Sequence, residues 1–175
     1  KSGEKTLPIV ISTWNHGLPA NEAAWQILST GGWSLDAVEA GVRVPEADPE
    51  VITVGYGGIP DADGKVTLDA CIMDEKGRAG SVSYLEKIKH PVSVARLVME
   101  KTPHVMLSGE GALKFALQNG FKKENLLTPK MKASISAVDN AWPFRFLMIK
   151  SIALMDLLYQ RDPTGIDWFS SGEIL

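Results

Sequence analysis

The residues most suggestive of chemistry come directly after the first apolar run of the chain. Leu7 to Thr13 (LPIVIST) is short, apolar and rich in β-branched residues, which is typical of a buried strand. Trp14, Asn15 and His16 follow at once and change the character of the chain to aromatic and polar. A tryptophan at the end of a buried strand can form the rim of a ligand cleft, and it can equally pack in a core. The residues themselves leave both interpretations open.

Other patterns that carry chemistry are missing. The three histidines, His16, His90 and His104, are far apart and have no acidic residues at metal-ligand spacing, so we expect them to be structural. The glycine-rich segment at 55–58 matches neither a dinucleotide-binding fingerprint nor a P-loop, and it predicts a tight crossing of the backbone. There is no G-x-S-x-G elbow. The spacing of these residues therefore predicts no metal site.

The single cysteine and a pair of aspartates also favour structural roles. Cys71 lies in the apolar string Leu68 to Met73, with no positive neighbour or helix start to lower a thiol pKa, so it is predicted to be a buried structural thiol. Asp61 and Asp63 are not followed by the bidentate glutamate of a calcium loop, and they are predicted to be turn residues. One cysteine cannot form an internal disulfide.

Composition and charge restrict the classes of partner. The 175 residues are 45% hydrophobic and 22% charged, which is ordinary for a globular protein that buries a core. The net charge is −3 and the basic residues are scattered, so nothing favours nucleic acid or an anionic membrane as a partner. The longest apolar stretch, Phe144 to Tyr159, contains charged residues and is too short to span a bilayer. The N-terminus does not have the pattern of a signal peptide.

Two helices are predicted to follow the Trp14 region. The first runs from Asn21, a plausible N-cap, to Ser29, and the glycine pair at 31–32 ends it. The second is predicted to have Ser34 as its N-cap and apolar residues at helical spacing, and to end at Pro45 and Pro49.

A β region and further helices are predicted beyond residue 50. The predicted elements are β structure at Ile52 and Val54, a hairpin of Val66–Met73 and Ala79–Leu85, a helix from Pro91 to Glu100, a short strand at Val105–Leu107 and a helix from Ala112 to Gln118. The expected order is therefore strand, two helices, three strands, helix, strand and helix. This order predicts an α/β (α+β) fold with antiparallel hairpins. Residues 122–136 are polar and are predicted to be a linker.

Several stretches, taken in their order and spacing, resemble the α-chain of the glycosylasparaginases, particularly those of bacteria. They are STWN at 12–15, GG at 31–32 with LDAVE at 35–39, VGYGGIPD at 54–61, TLDACIMD at 67–74, IKHPVSVAR at 88–96, MEKTPHVML at 99–107 and GEGA at 109–112. The resemblance covers about residues 6–128. It divides the chain into an α-chain-like domain, 1–128, and a tail at 129–175 of unassigned structure.

The resemblance implies a fold and a reaction. The fold would be part of the four-layer αββα sandwich of N-terminal-nucleophile hydrolases. A precursor of this family cleaves itself at an Asp-Thr bond, and the new N-terminal threonine becomes the nucleophile, with its own α-amine as base. The threonine attacks the side-chain amide of a glycosylated asparagine, and water then releases aspartate. No cofactor is needed.

Few residues of this machinery match positions of the chain. Trp14 matches a tryptophan of the family's active-site wall and Asn15 is adjacent, so the resemblance implies substrate binding by both. The residue at the position of His16 is more often aromatic in relatives. The chain contains no Asp-Thr, Asp-Ser or Asp-Cys step. No residue is therefore assigned as catalytic, and the chain alone is expected to be inactive.

Two classes of function remain open at this point. In the first, the chain is half of a glycosylasparaginase-like amidohydrolase, completed by a β-chain and forming an (αβ)2 oligomer. Asparagine and isoaspartyl peptides are the alternative substrates within this class. In the second, it is a non-catalytic chain: a pseudoenzyme, a binding fragment or the product of a truncated or misassembled gene model. The relatives imply export to the periplasm or the lysosome.

Overall fold

The computed structural model describes residues 7–61 and 63–133, together with the backbone of a strand at 157–159. The elements in chain order are β1 (Ile9–Ile11), α1 (Gly17–Leu28), α2 (Ser34–Ala47), β2 (Thr67–Met73), β3 (Ala79–Glu86), α3 (Pro91–Lys101), β4 (Met106–Ser108), α4 (Gly109–Gln118) and β5 (Leu157–Tyr159). Residues 129–133 are also helical. The rest of the predicted tail lies outside the described residues, as does all of the apolar stretch at 144–159 except β5.

The strands form two small sheets. β2 and β3 are the antiparallel hairpin that the alternating pattern predicts, with Ile72 opposite Gly80, and β4 extends this sheet by pairing parallel to β3. The register shifts between Leu68 and Ala70 because β3 has one extra residue there, and Tyr84 at this point has a positive φ of 51°. The second sheet consists of β1 and β5, which pair antiparallel.

The main core lies between the three-stranded sheet and the helices on one of its faces. Alternation in β2 places Leu68, Ala70 and Ile72 on this face, and all three are buried. α3 and α4 pack on the sheet and contribute the small buried residues that allow close approach. Gly80 lies so close to α3 that a β-carbon there would stand 2.6 Å from the backbone nitrogen of Met99.

The opposite face of the same sheet, called the open face below, is not covered by any of the described helices. On this face of β2, Asp69 and Met73 are half-buried and Cys71 is exposed. The predicted α/β (α+β) class is confirmed, and helices on one face of a sheet are consistent with part of an αββα sandwich. The prediction that Cys71 is buried is wrong, because its side chain points away from the helices.

The second half of the described fold follows the sequence pattern closely. Pro91 stands at the start of α3, as its missing N–H allows, and the helix ends one residue beyond the predicted Glu100. The predicted strand near Val105 is β4, displaced by one residue. The predicted helix at 112–118 begins earlier, at Gly109.

The starts of α1 and α2 differ from the prediction. α1 begins at Gly17, four residues before the predicted N-cap Asn21, since Pro19 falls in the first turn, where helices tolerate it. The residue at the N-cap position of α2 is Trp33, so Ser34 is already helical. Pro45 lies within the last turn of α2, and the helix ends at Ala47. The glycine pair at 31–32 does close α1, with Gly31 at a φ of +79°.

The segment after α2 is irregular, so the prediction of β structure at Ile52 and Val54 is wrong. The chain turns back on itself here because Gly55 and Gly57 have positive φ angles of 57° and 88°. Gly57 N–H donates to the carbonyl of Leu126 at 2.9 Å, which holds the segment against a distant part of the chain. The tight backbone crossing predicted at 55–58 is thereby confirmed.

β1 has the predicted strand conformation but not the predicted burial. Ile9 and Ile11 each remain 46% exposed. The strand has one described neighbour in its sheet, β5, and α1 is the described helix that packs against it. One helix covers one face, so the side chains on the other face stay open to solvent.

Candidate functional site

The predicted site lies in the loop of residues 12–16, which joins β1 to α1. Gly17 N–H donates to the carbonyl of Trp14 at 2.9 Å and closes a turn. The hydroxyl of Ser12 donates to Oδ1 of Asn21 on the first turns of α1. Gly17 is packed so closely on the side chain of Ser12 that a β-carbon would collide with it. Both ends of the loop are therefore tied to the start of α1.

This loop presents aromatic and polar side chains to solvent. Trp14 is 50% exposed, so it is not a core residue of the described fold, and its position agrees with the rim interpretation. Its ring stacks on that of His16, with 6.0 Å between centroids and 23° between planes. Asn15 is exposed beside them. Substrate binding by Trp14 and Asn15 stays a prediction.

A second group of polar residues lies buried between α2, α3 and the glycine-rich segment. The carboxyl of Glu46 contacts Nδ1 of His90 at 3.1 Å and accepts a hydrogen bond from the backbone N–H of Val92 at 3.0 Å. The backbone carbonyl of Glu46 accepts from Tyr56 N–H at 2.8 Å. One residue at the end of α2 thus holds both the first turn of α3 and the 55–58 crossing.

Burial opposes charge on both members of the Glu46 and His90 pair. Burial raises the pKa of Glu46 well above its ordinary value, against the hydrogen bond from Val92 and the charge of Arg43. Burial also lowers the pKa of His90 to about 4, and the positive charges of Arg43 and Lys89 act in the same direction. His90 is therefore neutral at pH 7, and its contact with Glu46 is a hydrogen bond rather than an ion pair.

A cavity of about 20 Å³ adjoins this pair, lined by Glu46, Thr53, Asp69 and Pro91 among others. It is large enough for one water molecule and too small for a substrate. The Glu46 and His90 pair thus organises the scaffold, which agrees with the structural role predicted for His90. Sequence reasoning missed Glu46 because its partners are 44 and 46 residues away.

A charged cluster joins α2 to α3. Arg96 Nη1 lies 2.7 Å from both Asp36 and Glu39, and its Nε lies 2.8 Å from Glu100. Its guanidinium carbon is 5.4 Å from the ring centroid of Trp33. Burial acts to lower the pKa of Arg96, but hydrogen bonds to the three carboxylates raise it above its ordinary value. Sequence analysis missed this cluster, and the i, i+3 spacing of Asp36 and Glu39 on α2 is the one local signal that could have indicated it.

The described residues offer no other arrangement with obvious chemistry. They contain no group of three or more histidine, cysteine and acidic side chains placed to hold a metal ion. No helix among them combines the length and apolarity needed to cross a bilayer. The β1–α1 loop remains the candidate site.

Comparison with known proteins gives relatives over most of this chain. It is 69% identical over 121 residues to the N(4)-(Beta-N-acetylglucosaminyl)-L-asparaginase of Elizabethkingia miricola, covering 69% of this chain and 36% of the relative. The protein of the same name from Rattus norvegicus is 46% identical over 132 residues, covering 75% of this chain and 38% of the relative. The Isoaspartyl peptidase/L-asparaginase of Rattus norvegicus is 48% identical over 112 residues, covering 62% and 33%.

The chain spans about a third of the length of the curated relatives it matches. The asparaginase family matches residues 16–146, from the end of the β1–α1 loop to beyond the described helical residues at 129–133. That match includes α1 to α4 and the whole three-stranded sheet. The chain therefore belongs to the asparaginase family.

Proposed function

We propose that this chain is the α half of an amidohydrolase that cleaves the side-chain amide of a glycosylated asparagine and releases aspartate. The observation that carries the proposal is the 69% identity to the Elizabethkingia miricola relative over 121 residues. Trp14 and Asn15 stand exposed on a loop that is tied down at both ends, which suits a substrate-binding wall. The glycosylasparagine would be bound there.

The nucleophile must come from another polypeptide segment, because these 175 residues contain no Asp-Thr step. In the proposed reaction an N-terminal threonine hydroxyl attacks the amide carbon while its α-amine takes the proton. The bond to the glycosylamine nitrogen breaks, and that nitrogen leaves with a proton. Water then hydrolyses the ester, which releases aspartate and restores the threonine. No cofactor takes part in these steps, and the chain alone is expected to be inactive.

The open face of the three-stranded sheet is the proposed docking surface for the β half. Cys71 is exposed and Met106 is 57% exposed on strands of this sheet, although residues on the helix-covered face are buried. Covering a sheet face that has accessible apolar side chains with a second sheet stabilises the assembly, because apolar surface is removed from water. α1 also exposes Leu18 and Trp25, by 70% and 47%, and we propose this surface for contacts within an (αβ)2 oligomer.

The test combines this chain with a β half made from the remaining part of the Elizabethkingia miricola relative, beginning at the threonine that the family resemblance predicts to be the nucleophile. The two chains are expected to copurify and to release aspartate from N4-(β-N-acetylglucosaminyl)-L-asparagine. Trp14→Ala should lower kcat/KM by about 10- to 100-fold. Trp33→Ala, a matched change at an exposed tryptophan outside the loop and outside both proposed contact surfaces, should leave it unchanged. Copurification without activity would contradict the proposed reaction. Failure of the two chains to copurify would contradict the proposed pairing with a β half.

A second candidate substrate class is supported by the 48% identity to the Isoaspartyl peptidase/L-asparaginase of Rattus norvegicus. In this alternative the assembled enzyme hydrolyses asparagine or a β-aspartyl peptide. The same assembled enzyme distinguishes the classes when kcat/KM is measured for glycosylasparagine, asparagine and a β-aspartyl dipeptide. A higher value for either of the last two would favour the alternative.

A non-catalytic role is favoured by the missing Asp-Thr step. Sequencing the transcript and the gene beyond codon 128 tests it, because an in-frame Asp-Thr step in another reading would refute a non-catalytic role. The same experiment tests export to the periplasm or the lysosome, which we propose from the relatives. A region upstream of Lys1 that encodes no signal peptide would contradict export.

A further inference from the structure

The rings of His16 and Trp14 form a stacked pair at the rim of the candidate site. Their centroids are 6.0 Å apart and their planes differ by 23°, which is the geometry of an offset stack. Trp14 is half exposed, while His16 is more buried than its two neighbours on the N-terminal side. The imidazole is therefore the less exposed member of the stacked pair.

The backbone that carries both rings is held in one conformation. Gly17 N–H donates to the carbonyl of Trp14, and the side chain of Ser12 contacts both Gly17 and Asn21. The main freedom left to Trp14 is rotation about its own side-chain torsions. An exposed tryptophan samples several such rotamers unless a neighbour restricts it. Stacking on the imidazole of His16 restricts the rotation of the indole.

We propose that His16 is a positioning residue that fixes the plane of the Trp14 indole, so that the other face of the indole is presented to the substrate. The proposal rests on the proposed function for its catalytic consequence, though not for the stacking itself. It depends on a flat ring at position 16 and not on the imidazole nitrogens. A phenylalanine should therefore replace His16, whereas an aliphatic side chain should not.

The stacking is tested on the full chain labelled with 5-fluorotryptophan. Its five tryptophans should give five ¹⁹F resonances, and Trp14→Phe assigns the one that disappears. His16→Ala and His16→Leu should both move the Trp14 resonance toward that of free 5-fluorotryptophan, while His16→Phe keeps it apart from that position. His104→Ala, at an exposed histidine beyond α3, is the matched control and should move nothing.

His16→Leu distinguishes loss of stacking from loss of the fold, because leucine keeps most of the side-chain volume but has no ring. If His16→Ala unfolds the chain, all five resonances collapse together, and the result for His16→Leu then decides. A Trp14 resonance that keeps its wild-type position in His16→Leu would overturn the proposal. The proposal would also fail if His16→Phe moved the resonance as far as leucine does.

The consequence for the substrate is tested on the enzyme assembled with the β half. His16→Ala should raise KM for N4-(β-N-acetylglucosaminyl)-L-asparagine by about two- to tenfold, the range expected for losing one ring stack, with kcat nearly unchanged. His16→Phe should restore the wild-type KM. An inactive wild-type assembly alongside the expected ¹⁹F shifts would count against the proposed function alone. An active assembly in which His16→Ala leaves KM unchanged would overturn the positioning role.

Discussion

Replacing Gly80 by alanine would test how closely α3 packs on the three-stranded sheet. A β-carbon at Gly80 would stand 2.6 Å from the backbone nitrogen and 2.7 Å from the β-carbon of Met99, and closer still to the carbonyl of Ala95. Real β-carbons essentially never approach other atoms within 3.0 Å. The obstacles include helix backbone, which cannot rotate away as a flexible side chain does. α3 must therefore move away from the sheet.

The cost of that movement falls on the main core. Val94, Ala95 and Val98 of α3 are fully buried, so a displaced helix loses packing along its length. Overpacking a core by one methyl group typically costs about 1–3 kcal/mol, and backbone obstacles favour the upper part of that range. We expect Gly80→Ala to lower the free energy of unfolding by about 2 kcal/mol. At an m-value of about 2 kcal/mol/M, the midpoint in urea falls by about 1 M.

The assay is urea unfolding followed by circular dichroism, with Gly111→Ala as the matched control. Gly111 lies in α4 with an ordinary φ, and a β-carbon there would have no neighbour within 4 Å. Alanine is a better helix former than glycine, so this variant should gain up to about 1 kcal/mol. The two variants add the same atom and should shift the midpoint in opposite directions. A Gly80→Ala midpoint equal to that of the wild type would refute the close packing.

Three further predictions follow from the buried pair and from the open sheet face. The low pKa of His90, about 4, means that its neutral ring stabilises the fold fully above pH 6.5 and that this stabilisation is lost as the pH falls toward 4. The difference in free energy of unfolding between the wild type and His90→Gln, measured in urea, should therefore shrink by on the order of 2 kcal/mol between pH 7 and pH 4. This is less than the full pKa shift implies, because solvent at the partly exposed ring screens some of the effect. A difference that stays constant over this pH range would contradict the prediction. Glu46→Ala should cost about 2–4 kcal/mol in thermal unfolding and Glu46→Gln clearly less, because glutamine still accepts from Val92 N–H; equal losses would show that the acceptor does not matter. Cys71 is an exposed residue and should react with Ellman's reagent in this chain, although slowly, because neighbouring atoms partly desolvate the thiol and raise its pKa. The reaction should slow further once the β half is bound, and a labelling rate that the β half leaves unchanged would count against the proposed docking face.

Periodicity predicts elements whose stability depends mainly on near neighbours. The β2–β3 hairpin is a local structure of alternating residues around a tight turn, and α3 begins at Pro91 and presents a regular apolar face. Both were predicted with boundaries correct to within one residue. In these segments the local pattern and the tertiary packing favour the same conformation, so one is a good guide to the other.

Predictions failed where contacts between distant residues decide the conformation. The segment at Ile52 and Val54 has β-forming residues, but the hydrogen bond from Gly57 to Leu126, 69 residues later, holds it in an irregular crossing. α1 starts at Gly17, and Asn21 accepts a hydrogen bond from Ser12 on the preceding loop instead of capping the helix. Local sequence patterns do not show which residues meet in space, so they could not predict these contacts.

The features of the candidate site also fall into those that the sequence predicts and those that only the tertiary structure shows. The amino-acid sequence by itself determined the family resemblance, the α/β class, the place of Trp14 after the first strand and the absence of an Asp-Thr step. Tertiary structure alone decided that Trp14 stacks on His16, that Glu46 joins three segments and that Cys71 lies on the open sheet face. The physical reason is that side-chain periods specify which residues share a face, whereas what covers that face depends on elements far away along the chain or on another chain.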